Sequence, residues 1–166
     1  ATTTADSPYD DYINKVDAIV EFPDEKSGAS HLALAMDVTI AEHFGEKFDH
    51  IKAGIDAGTL TEIKYFASDH LNIRGRKDKV PHVVIGVDRP TLYEVIKLWM
   101  KKNNKALADH PVQVKVLEEI RLQLNAYRAY AEAQGKNELG QIFQKTENRK
   151  HHCRHHGRKG YNGGRH

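Results

Sequence analysis

The chain has 166 residues, 39% hydrophobic and 29% charged, with 12 Gly, 5 Pro and one Cys. That length supports a single domain with a core of its own, one Cys excludes an internal disulfide framework, and no apolar run nears the ~18 residues of a membrane span. The net charge of +2 averages two unlike pieces: from Lys145 onward seven basic residues face one acid, a net +6, while the first 144 residues hold 18 basic and 22 acidic side chains, a net −4.

Residues 1–6 read as a flexible N-terminus without the basic and apolar regions of a signal peptide. Ser7-Pro8 reads as N-cap and first helical position, and Tyr9, Tyr12, Ile13, Val16, Ile19 and Val20 follow a helical period until Pro23. Ser30 caps a second helix with a stripe at Leu32, Met36, Ile40 and Phe44, stopped or broken at Gly45. Phe48, Ile51 and Ile55 continue the spacing in a shorter segment closing at Gly58.

Thr59-Leu-Thr-Glu62 reads as a capping box opening a helix with Leu60, Ile63, Phe66 and Leu71 on its face. Residues 72–79 form a basic loop. Residues 80–87 (VPHVVIGV) read as an edge strand, rich in β-branched residues with Pro81 near its start. A lone strand cannot satisfy its own backbone, so its partner is open among Ile19–Phe22, another subunit and a side-chain network.

Thr91-Leu-Tyr-Glu94 is a second capping box, and Leu92, Ile96, Trp99 and Met100 form a stripe that reads as core or subunit interface. After Asp109-His110-Pro111 the chain runs from Val112 to Gln134 without Gly or Pro, about 35 Å of helix. Its main face is Val116, Leu117, Ile120, Leu124, Tyr127 and Ala131, and Val112, Val114 and Leu122 make it apolar on more than one side, as a central or subunit-facing helix would be. Gly135 marks its stop, and Leu139, Ile142 and Phe143 make a short last amphipathic segment. The expected fold is mainly α: a multi-helix, bundle-like domain over 7–144 with at most one or two short strands, then an extended basic C-terminal arm over 145–166.

No phosphate-binding glycine loop occurs, Ser68-Asp69-His70 has no weight as a triad without geometry, and His43, Glu46 and His50 read as a solvated helix face. The expected chain is therefore not an enzyme. The arm is the informative segment. Arg149, Lys150, Arg154, Arg158, Lys159 and Arg165 can neutralise phosphates, Tyr161 can stack on a base, and Arg74, Arg76 and Lys77 form a second positive cluster. Five of the chain's 11 His lie in the arm and add charge below pH ~6.5.

The same arm holds His151, His152, Cys153, His155 and His156, all competent zinc ligands, although contiguous ligands mixed with cations depart from the usual separated pairs. No cofactor is expected, with zinc in the arm as the alternative. The leading expectation is a non-enzymatic structural or assembly subunit, from a virion, a DNA-packaging machine or a ribonucleoprotein, that contacts nucleic acid through its arm. The alternatives are a zinc-binding protein and an assembly factor whose arm docks on acidic neighbours. Either a homo-oligomer or a large assembly is expected, with no membrane, in the cytoplasm or inside such a particle.

Overall fold

The computed structural model describes residues 2–5, 16–22, 32–40, 44–67 and 74–153. The expected helix start at 7–15, the cap at Ser30, His43, residues 68–73 and arm residues 154–166 lie outside them. Among the described residues two sheets and five helices follow one another as β1 (Thr2–Ala5), β2 (Ala18–Phe22), β3 (Leu32–Thr39), α1 (Phe44–Ala57), β4 (Thr61–Ala67), β5 (Arg74–Val80), β6 (His82–Gly86), α2 (Arg89–Met100), α3 (Asn104–Ala108), α4 (Val112–Ala133) and α5 (Asn137–Cys153). The fold is mixed α/β, and the expectation of a helical bundle with one or two strands is wrong.

The larger sheet has the order β1-β2-β3-β6, antiparallel except for the parallel pair β3–β6, and β4–β5 form a separate antiparallel hairpin. Strand alternation sends neighbouring side chains to opposite faces. Val20, Leu34 and Met36 join one core with Ile51 and Ile55 of α1, Ile120 and Leu124 of α4, and Leu139 and Phe143 of α5. Ile19, Ala33 and Ala35 point the other way, into a second core with Val16, Ile63, Phe66 and Val80. The sheet is thus a middle layer, with helices on one face and the β4–β5 hairpin on the other.

The sequence misleads at β3 for a definite reason. A spacing of four, as in Leu32, Met36 and Ile40, is two pleats of a strand as well as about one turn of helix. With Ala33, Leu34 and Ala35 all buried, the strand has no polar face to break the tie. In β4 the same error, a strand read as helix, has a different cause. Ile63 and Phe66 are three apart, yet both enter the second core, because the β4–β5 register slips between them. A bulge of this kind gives a strand a helix-like spacing.

The expected strand at 80–87 appears as β6, at the end of the sheet order. β3 pairs with one of its edges, and a side-chain network covers the other. Gln123 of α4 is buried against Val84: its Oε1 accepts the Val84 N–H at 3.0 Å, and its Nε2 donates to the Val84 carbonyl at 2.6 Å. Glu119 Oε1, one helical turn earlier, accepts from the Gly86 N–H at 3.3 Å. One helix therefore stands in for a missing strand.

Gly86 also marks a close approach. A Cβ there would lie 2.2 Å from Cζ of Phe44, whose ring stacks on Phe48. Gly86→Ala is expected to cost roughly 1–3 kcal/mol by overpacking. Shortening the neighbour in a Gly86→Ala/Phe44→Leu double variant should return part of that loss. A double-variant cycle by urea denaturation checks it, and strictly additive effects would contradict the contact.

The long helix matches expectation closely. α4 ends where Gly135 takes φ +70°, with the Lys136 N–H bonded to the Ala131 carbonyl at 2.8 Å. α5 is longer than the short segment expected. Its helix continues past Lys145; Thr146 is buried with its hydroxyl donating to the Ile142 carbonyl at 2.9 Å, and Asn125 Nδ2 of α4 donates to Glu147 Oε1 at 2.7 Å.

Candidate nucleic-acid interface

The second positive cluster sits on strand β5 rather than in a loop. Arg74 is exposed. Arg76 is exposed too, but its Nε lies 2.7 Å from Asp78 Oδ1 and 2.8 Å from Glu62 Oε1. The hydrogen bond to Asp78 comes first among the causes that hold its guanidinium pKa above the ordinary value. Lys77 turns toward the sheet, with Nζ 5.3 Å from the centre of the Phe66 ring. Burial lowers its pKa, and the buried carboxylate of Glu21 works in the opposite direction. Two of the three cations are thus already committed within the protein.

The first residues of the arm are helical. Arg149, Lys150, His151, His152 and Cys153 belong to the final turns of α5, whereas Arg154, His155, His156, Arg158, Lys159, Tyr161 and Arg165 lie outside the described residues. Among the described residues no group of three His, Cys, Asp or Glu is placed to hold a metal ion. Glu46 and His50 are both exposed on α1.

A shallow cleft of about 180 Å³ lies between α1, the start of β4 and α5, lined by His50, Gly54, Thr61, His82 and Phe143 among others. His82 is buried, with Nδ1 3.3 Å from Thr61 Oγ1. The volume falls below the ~300 Å³ at which small-molecule sites begin, and the Thr61–His82 pair has no carboxylate in the lining to complete a triad.

A more substantial surface lies on α2. Asp88 caps this helix: its Oδ1 accepts the Thr91 N–H at 2.7 Å and its Oδ2 the Thr91 hydroxyl at 3.0 Å. The cap is therefore three residues earlier than the box at Thr91–Glu94 implied, with Pro90 in the first turn. The hydrogen bond from the Thr91 amide leads the causes that lower the Asp88 carboxyl pKa. α2 buries no residue fully. Tyr93, Trp99 and Met100 are each 70% exposed, and Ile96 is 41% exposed. The stripe at Leu92, Ile96, Trp99 and Met100 is thus not core.

No protein-family model, curated protein or solved structure matches this chain. Its function must be argued from its own residues. Those around the stripe are basic: Arg89, Lys97, Lys101, Lys102, Lys105 and Lys115 are all exposed. The acids nearby are partly engaged, Asp88 at the helix cap and Glu94 3.5 Å from the His110 Nε2. Sequence reading identified the apolar stripe and the Lys101–Lys105 run separately. It missed that they share one uncovered surface, because periodicity identifies a face without saying what covers it.

Proposed function

We propose that this chain is a non-enzymatic assembly or structural subunit that contacts nucleic acid through its basic C-terminal arm. The observation that carries the reading is the charge segregation, net −4 over the first 144 residues against +6 over the last 22. The first 144 residues are acidic on balance and the arm holds the highest density of positive charge, so the arm makes the principal contact, where each cation placed on a phosphate releases counterions. Arg154, Arg158, Lys159 and Arg165 supply the charge beyond α5, and Tyr161 supplies a ring for stacking.

The folded body supports the assembly half of the proposal. Val114 and Leu117 stay exposed one turn apart near the start of α4, and Leu122 stays exposed farther along it. Apolar surface of this kind is what a subunit contact covers, so a homo-oligomer or larger particle is the proposed state. Among the described residues no helix is long and apolar enough to cross a membrane.

Binding of labelled single- and double-stranded nucleic acid to the full chain, followed by anisotropy, tests the proposal. A full-length variant with Arg154, Arg158, Lys159 and Arg165 changed to Gln is expected to bind both forms more weakly. Equal binding by parent and variant would contradict a role for the arm. Affinity should also rise as pH falls through the ordinary histidine range near 6.5, because each arm imidazole then gains a positive charge. Changing His151, His152, His155, His156 and His166 to Gln should flatten that pH dependence.

A further inference from the structure

We propose that the exposed face of α2, with the lysines that follow it, is a second nucleic-acid contact that selects single strands. The inference rests on the reading that the chain binds nucleic acid, and it adds a place and a strand preference.

Charge sets this segment apart. Residues 89–115 hold six basic side chains, all exposed, against Glu94 and Asp109, a net +4. With the arm's +6 set aside as well, the remaining residues carry −8. Besides the arm and the β5 cluster, whose Arg76 and Lys77 are engaged within the protein, this segment is therefore a positive island on an acidic remainder. It differs from the arm in bearing an apolar face.

That face has a definite shape. Tyr93, Ile96 and Met100 stand at i, i+3 and i+7, so they line one side of the helix over about 10 Å. Trp99 borders the same arc, and all four side chains are 41–70% exposed. Lys97 and Lys101 lie beside the stripe on the helical wheel, and Lys102 and Lys105 follow its C-terminal end. A partner must therefore offer planar or apolar groups next to regularly spaced negative charges.

A single-stranded nucleic acid has that chemistry, since its bases are free to stack while its phosphates reach the lysines. A duplex keeps its base faces stacked and offers phosphates and groove edges only, leaving an aromatic stripe nothing to stack on. A second copy docking α2 against α2 would set one +4 island against another, which charge repulsion opposes. Charge thus disfavours an α2-to-α2 contact between copies, and the single strand matches both the cations and the aromatic stripe.

Trp99 is the only Trp in the chain, so its emission reports this face alone. The full chain is titrated with a single-stranded oligothymidylate, with a duplex at equal phosphate concentration, and with phosphatidylserine-containing vesicles. The single strand is expected to quench Trp99 strongly and the duplex weakly. Trp99→Ala should weaken single-strand binding roughly tenfold, as expected for one lost stacked base, with duplex affinity unchanged. Lys101→Gln/Lys102→Gln should reduce the salt slope for the single strand by about 1.4. These residues are exposed, and unchanged circular dichroism will confirm that the variants fold.

If the single strand binds but leaves Trp99 emission unchanged, and both variants bind like the parent, this inference falls while the arm reading stands. Binding of neither nucleic acid would remove both. A blue shift with vesicles and no quenching by the single strand would assign the face to a lipid surface and overturn the proposal.

Discussion

Gln123→Leu is expected to lower the unfolding free energy by roughly 2–6 kcal/mol, from two buried backbone groups left unpaired at about 1–3 kcal/mol each. Gln123 is a polar residue in the interior, and both ends of its amide are used. Its oxygen takes the Val84 N–H and its nitrogen serves the Val84 carbonyl. The Tyr127 hydroxyl donates to the same oxygen at 3.1 Å, and burial pushes the pKa of that phenol up, which keeps it a donor. Leu matches Gln roughly in size but offers neither contact. Guanidinium denaturation should show a lower midpoint at an unchanged slope. Light scattering should also show association, since an uncovered β6 edge is a template for strand pairing. An unchanged midpoint would mean that the helix does not complete the sheet.

Phe143→Ala should cost about 3–5 kcal/mol, the usual range for truncating a buried aromatic ring. Phe143 is fully buried, its ring centre is 5.7 Å from that of Tyr127 at an interplanar angle of 50°, and it borders the cleft beneath α1. The substitution removes the ring that joins α5 to α4 and enlarges a void the surrounding backbone cannot close. Phe143→Leu, which keeps most of the volume, should cost less than half as much. A calorimetric melt of both variants checks the order. Equal losses would mean that α5 is not anchored at this residue.

The parts of the fold legible in the sequence are those with a strong local signature. α4 is marked by an uninterrupted period and by Gly135. Ile51 and Ile55 identify the buried face of α1. The β-branched run at 82–86 identifies β6, and the expectation that a side-chain network could serve its backbone is met on its outer edge.

What failed did so for physical reasons. β2 and β3 are buried between two cores, so their apolar residues recur at spacings a helix shares. β4 gains its irregular spacing from a register slip. β5 (RGRKDKV) carries almost no strand propensity; it forms because β4 supplies its hydrogen bonds and because Arg76 and Lys77 find partners across the hairpin. Gln123 could not be recognised beforehand, since a polar residue within a helix reads as surface. In the candidate site, charge counting located the arm and the periodicity located the α2 stripe. Only burial showed that the stripe is uncovered, and only contacts showed that Arg76 and Lys77 are occupied.

Phosphate binding by the positive charge gathered in the arm is tested by the salt dependence of affinity. Affinity of the full chain for a labelled single strand is measured between about 50 and 200 mM salt, for the parent and for the Arg154, Arg158, Lys159 and Arg165 to Gln variant. A steep linear fall of log K with log salt is expected for the parent, and a slope smaller by about 3 for the variant, at ~0.7 per charge removed. Identical slopes, or no binding at the lowest salt, would contradict phosphate binding by the arm.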